Sequence, residues 1–200
     1  MKGQKVIIRK QTTKAIEAVA DFVGKTSQTT HMRYMGVRCD DKALTLWASD
    51  SYRLAIYTES LRDDGEGESW EVAVEAKQLA TAVKGVTLAS AEVVEVDGAR
   101  YLRIDVPNSG SRLVPVTIDR RTLRLDRAEG LVKDAADAPA GTCYVNSSYL
   151  ASMMRAASKI YGSKTQVSLV TREARLIVMT AGYDGSKLTA LVMPYMPPRQ

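Results

Sequence analysis

The sequence predicts an α+β fold built from three copies of one unit: a strand, an amphipathic helix and three more strands. Three observations carry this. Short apolar runs alternate with polar residues, helical spacing of apolar residues follows the first strand of each run, and two stretches superpose at constant offsets.

In the first unit, Val6-Ile7-Ile8 reads as a strand and Thr12 to Val23 as a helix. Ala15, Ile16, Val19, Ala20 and Val23 share one helical face. Thr12 or Thr13 suits the N-cap, and Gly24 suits a left-handed stop. Strands are expected at Met32–Arg38, Ala43–Ala48 and Arg53–Thr58, and the acidic run Asp63 to Glu68 reads as a loop.

The second unit opens with the alternating run Trp70-Glu71-Val72-Ala73-Val74. A helix follows over Lys77 to Lys84, closed by Gly85, then strands at Glu92–Val96, Tyr101–Val106 and Leu113–Ile118. Asp97-Gly98 and Asn108-Ser109-Gly110 are the hairpin turns.

In the third, Val145 heads a strand and Tyr149 to Ile160 forms a helix, with Leu150, Met153, Met154 and Ala157 on one face. Strands follow at Gln166–Thr171, Arg175–Thr180 and Leu188–Met193. Val74, Leu79 and Ala80 fall on Val145, Leu150 and Ala151 at an offset of 71, and Gly110–Leu113 falls on Gly185–Leu188 at 75. The domain reading is therefore a complete double unit over 1–118, an exposed connector over 119–141 and a further unit over 142–200.

Composition limits the chemistry. At 200 residues, 45% hydrophobic and 26% charged, the chain has the make-up of an ordinary globular protein. No apolar run reaches the roughly 18 residues of a membrane span, and the N-terminus lacks the apolar stretch of a secretory signal. Two distant cysteines and one histidine leave no metal site, and no P-loop, GxSxG or HExxH stands in the sequence. Cys143 reads as a small hydrophobe. The expectation is a cytoplasmic, non-enzymatic protein without cofactor or metal.

The formal charge of +5 is uneven. Residues 1–118 hold 16 basic and 16 acidic side chains, whereas 119–200 hold 12 and 7, including Arg120, Arg121, Arg124 and Arg127. That asymmetry points to a polyanion, or else to a solvated basic face.

Three motifs carry a resemblance. Leu46-Trp47-Ala48-Ser49-Asp50-Ser51-Tyr52-Arg53-Leu54-Ala55 is similar to the A-T-D-G-[HY]-R-L-A signature of the bacterial DNA sliding clamp, the β subunit of DNA polymerase III. Leu191-Val192-Met193-Pro194-Tyr195-Met196 resembles the V-M-P-M-R-L ending of that family. Tyr144-Val145-Asn146-Ser147-Ser148-Tyr149-Leu150 resembles the F-N-x-x-Y-L that opens its last helix. The chain departs in having three units where the family has six, in continuing through Pro197-Pro198-Arg199-Gln200, and in Ser51, which stands where a glycine is usual.

The resemblance implies a clamp-like fold and a processivity factor of DNA replication that tethers partners by their linear peptides. It implies a peptide pocket of Ser49, Ser51, Tyr52, Arg53, Leu54, Leu191, Val192, Met193, Pro194, Tyr195 and Met196. Apolar and Met side chains would form its trough, tyrosines its walls, and Arg53 a polar anchor. The plainer reading makes Leu54 and Val192 strand core and pairs Asp50 with Arg53 across a turn. The resemblance further implies helices facing duplex DNA without reading its sequence, with Lys10, Lys14, Lys77, Lys84, Arg155 and Lys159 as the candidate basic contacts. Expected partners are clamp-motif peptides of polymerase or clamp-loader-like proteins. A homo-oligomer is also expected, because a lone half-domain leaves a sheet edge open. The alternatives are a clamp-derived adaptor or decoy that never encircles DNA, and a small basic nucleic-acid-binding domain.

Overall fold

The computed structural model describes residues 4–24, 32–61, 67–117, 124–139, 141, 143–171 and 177–193. Eleven antiparallel strands form one sheet, with order β1-β6-β7-β8-β5-β2-β3-β4-β11-β10-β9. The first module comprises β1 (Val6–Arg9), α1 (Lys10–Val19), β2 (Tyr34–Cys39), β3 (Ala43–Ser49) and β4 (Arg53–Ser60). The second comprises β5 (Trp70–Glu75), α2 (Ala76–Val83), β6 (Leu88–Val96), β7 (Ala99–Val106) and β8 (Gly110–Thr117). After α3 (Leu125–Asp137), the third comprises α4 (Ser147–Tyr161), β9 (Ser168–Thr171), β10 (Ile177–Tyr183) and β11 (Ser186–Val192).

The first two modules complete each other. Strand β1 adds to β6 and β5 adds to β2, so each module's first strand joins the other's second strand. The third module attaches differently, through its last strand β11, which pairs along β4 from Ser186↔Glu59 to Val192↔Arg53.

One face of the sheet carries α1, α2 and α4. Ile16 and Val19 of α1, Leu79 and Val83 of α2, and Met153, Ala157 and Ile160 of α4 bury against inward-facing strand residues in a single core. The opposite face is covered by α3, where Leu125, Ala128 and Ala135 bury against Trp47, Leu54, Ile56, Val178 and Leu191. The segment expected to be an exposed connector therefore holds a packed helix; the charged composition belongs to its solvent side.

Three further expectations are corrected. Helix α1 starts at Lys10 and passes into a 3₁₀ turn at Ala20–Phe22, and Gly24 takes no left-handed conformation. Residues 143–146 lead into α4 without joining a strand ladder. The 75-residue superposition holds for the strand order but not for facing: Leu113 is 46% exposed and Leu188 is 0% exposed. The cause is hairpin length, since β7 reaches β8 through residues 107–109 and β10 reaches β11 through only 184–185.

Candidate partner-binding site

The β3–β4 turn is built by Asp50. Its Oδ1 accepts from the Tyr52 N–H at 3.1 Å and the Arg53 N–H at 2.8 Å, while Ser49 Oγ accepts from the Ser51 N–H at 3.3 Å. Ser51 sits at φ +74°, the left-handed region in which a Cβ is strained. The glycine-like position that the signature marks is thus glycine-like in conformation.

From this turn, alternation along β4 separates the motif's side chains. Leu54 faces outward and stands directly opposite Leu191 of β11, both beneath α3. Val192 faces inward and is fully buried in the main core. Arg53 also faces inward. Its guanidinium bonds Asp50 Oδ2 through Nε at 2.9 Å and Nη2 at 2.5 Å, and donates to Ser152 Oγ at 2.9 Å and the Asp21 carbonyl at 3.2 Å. It lies 5.2 Å from the ring centroids of both Phe22 and Tyr149, with its side chain 10% exposed. Arg53 therefore ties the first module to α4, and its donors are already engaged.

What remains open is a ledge at the end of the same two strands. The Met193 N–H donates to the Tyr52 carbonyl at 2.8 Å, which extends the β4–β11 pairing by one bond. Tyr52 is 55% and Met193 49% exposed, and the Tyr52 ring stacks on Tyr149 with centroids 6.0 Å apart. Ledge and buried leucines share one pair of strands. Pro194, Tyr195 and Met196 lie outside the described residues, as do Arg120 and Arg121. Sequence reasoning missed Leu125, Ala128, Val132 and Ala135, although their spacing is helical.

The candidate DNA contacts all lie on the helical face. Lys10 and Lys14 are on α1, Lys77 is on α2 with Lys84 at its end, and Arg155 and Lys159 are on α4. A cleft of about 610 Å³ between these helices brings Lys77, Lys84 and Lys159 beside Glu17, Asp21 and Glu75. Lys159 Nζ pairs with Glu17 Oε2 at 2.9 Å, so this face is basic but internally compensated.

Burial pushes the Cys39 thiol up to about 12, with Asp40 and Asp41 adding to the effect, and burial also raises Cys143. Both are protonated at neutral pH and poor nucleophiles. Among the described residues, no three His, Cys, Asp or Glu side chains are grouped to hold a metal, and no helix is long and apolar enough to cross a membrane.

No family model matches the chain, and no curated protein matches it. Solved structures do. The DNA polymerase sliding clamp of Pseudomonas aeruginosa superposes with TM-score 0.64 at 12% identity, over 99% of this chain and 66% of that one. The C. crescentus beta sliding clamp gives 0.62 at 13% identity, over 98% and 66%. A. fulgidus PCNA, solved with the C-terminal region of FEN-1 bound, gives 0.66 at 12% identity over 100% of both chains. This chain spans 66% of the bacterial clamps' length. The likeness covers nearly every residue here, and the chain has the sliding-clamp fold, shared with bacterial DNA polymerase III beta clamps and archaeal PCNA.

Proposed function

We propose that this protein is a non-enzymatic DNA-replication accessory that self-associates on duplex DNA and tethers partner proteins by their linear peptides. The observation that carries the reading is the alignment of β4 with β11. Two segments far apart in sequence, both similar to clamp motifs, lie side by side, with the Tyr52–Met193 ledge at their end. An aromatic wall and an adaptable thioether suit an apolar peptide anchor. Helix α3 covers Leu54 and Leu191, so a peptide binds on the ledge and reaches those leucines only by displacing the helix.

The test is fluorescence polarisation with a Gln-x-x-Leu-Phe clamp-motif peptide. Binding that weakens about tenfold, some 1.4 kcal/mol, in both Tyr52→Ala and Met193→Ala supports the reading. Absence of binding, or equal binding by wild type and both variants, overturns it. If the peptide displaces α3, Leu125→Ala binds it more tightly, because less packing has to be undone.

A second reading, the adaptor that never encircles DNA, is favoured by Glu17, Asp21 and Glu75 among the basic helix residues. Retention on circular but not linearised duplex separates a ring from an adaptor.

A further inference from the structure

We infer that two copies pair through their third modules, the 143–146 segment of each adding as a strand beside β9 of the other. This deepens the self-association in the reading above and rests on that part alone.

The first two modules supply the template. Each contributes a first strand to the other's second strand, a reciprocal exchange that two copies related by a two-fold axis would reproduce. Among the described residues, the third module has both halves of that exchange, and no other module pairs with either. Among the same residues, strand β9 ends the sheet and ladders only with β10. Residues 143–146 hold the position immediately before α4 that Val6–Arg9 holds before α1, yet lie in no ladder. They even repeat the pattern of β1. Cys143 and Val145 pack against the core and Tyr144 is 70% exposed, as Val6 and Ile8 are buried and Ile7 is exposed.

The second-strand side shows the matching gap. Strand β6 runs for nine residues and takes β1 on its first four, Leu88–Ala91. Strand β9 has only four residues, and 164–167 just before it are in no strand. The missing length is the part a partner strand would pair with. Leu169 stands opposite buried Met179, on the helix-covered side, and is nonetheless substantially exposed. An intramolecular bond from the Gly141 N–H to the Thr171 carbonyl, at 3.5 Å, lies at the opposite end of β9 from this gap.

Facing limits the register to alternate residues, and the unpaired length at 164–167 selects one of them. Val6 and Ile8 oppose Ala91 and Ala89, all directed inward. Val167, two residues before Leu169, also packs against the core. Cys143 of one copy then meets Val167 of the other, and the outward residues Tyr144 and Gln166 stand opposite. Directly opposed Cβ atoms lie about 4.5–5.5 Å apart, close to disulfide reach.

The test mixes Tyr144→Cys with Gln166→Cys, each in a Cys143→Ser background and tagged to differ in size. Mild oxidation is expected to give a covalent heterodimer, and light scattering a dimer of the wild type. A dimer with no Tyr144→Cys/Gln166→Cys product overturns this interface while self-association stands. Equal cross-linking of Tyr144→Cys to Lys77→Cys overturns it in the same way. A strict monomer at high concentration removes both.

Discussion

Leu54 and Leu191 stand directly opposite each other on β4 and β11, and α3 seals both from solvent. The pair is a structural joint between the first and third modules, on the two strands whose ends carry the proposed ledge. Leu54→Ala is expected to cost about 2–4 kcal/mol of stability, through lost burial and the cavity left under the helix. Met193→Ala, at an exposed position, is expected to stay within about 0.5 kcal/mol. Urea denaturation of the two variants checks the contrast; equal losses would mean that α3 does not seat on Leu54 as described.

Ser51 holds a left-handed conformation at φ +74°. The strain of its Cβ there is about 1 kcal/mol, offset in part by the greater unfolded-state freedom of glycine and by the lost contact from Ser51 Oγ to Met32 Sδ. Ser51→Gly is expected to raise stability by about 0.5 kcal/mol, and Ser51→Val to lower it. Thermal melts of both variants read the sign.

Arg53 reaches the third module through a hydrogen bond to Ser152 and the Tyr149 ring, and within its own module it holds the Asp50 ion pair and the Phe22 face. Arg53→Met leaves Asp50 nearly buried and unpaired, which costs about 3–5 kcal/mol. Arg53→Lys is expected to recover less than half, since an ammonium cannot make the forked contact and stack together. Equilibrium unfolding measures both. If the residue instead anchored a peptide, Arg53→Met would abolish peptide binding with the stability unchanged.

The strand–helix–strand grammar was legible because its signals are local. The alternation in Trp70–Val74 and the spacing of Ala15, Ile16 and Val19 both report burial that the fold delivers. The turn at Ser51 was legible for the same reason, a short motif fixing a backbone angle. What failed depended on distant chain. The charged surface of α3 reads as solvated linker until Leu125, Ala128 and Ala135 find the outer face of β3, β4, β10 and β11. Val145 has strand character, yet residues 143–146 join no ladder among the described residues, because a strand needs a neighbour that local sequence does not supply. The motif at β4 looked like one wall, but period-two alternation sends Leu54 outward and Arg53 inward. Contiguity in sequence is not contiguity of surface on a strand.

Gly36 is placed by a distant contact of another kind. The Trp47 ring lies over it across the β2–β3 pair, and a Cβ at Gly36 would meet Trp47 Cε2 at 2.0 Å. Gly36→Ala must push the indole out of its seat beneath α3, an overpacking cost of about 1–3 kcal/mol. Trp47 fluorescence is expected to shift to the red along with the fall in stability. An unshifted spectrum with full stability would show that the indole has room to move.

Burial of weak acids sets how the fold responds to alkali. The Cys39 thiol ionises near its ordinary 9.0 in the unfolded chain but is held up to about 12 in the fold, burial first and then Asp40 and Asp41. Burial raises Tyr57 and Tyr161 as well. Each group is a raised acid, so the unfolded chain loses its proton first. The contribution is fully present below pH 9.0 and drains away as pH climbs toward 12. Chemical denaturation is expected to show stability level near neutrality and declining steeply above that lower bound. Cys39→Ala removes one of these groups and should shallow the decline while leaving the neutral plateau within about 1–2 kcal/mol. A slope identical in wild type and variant would mean that Cys39 titrates in the fold as it does in the open chain.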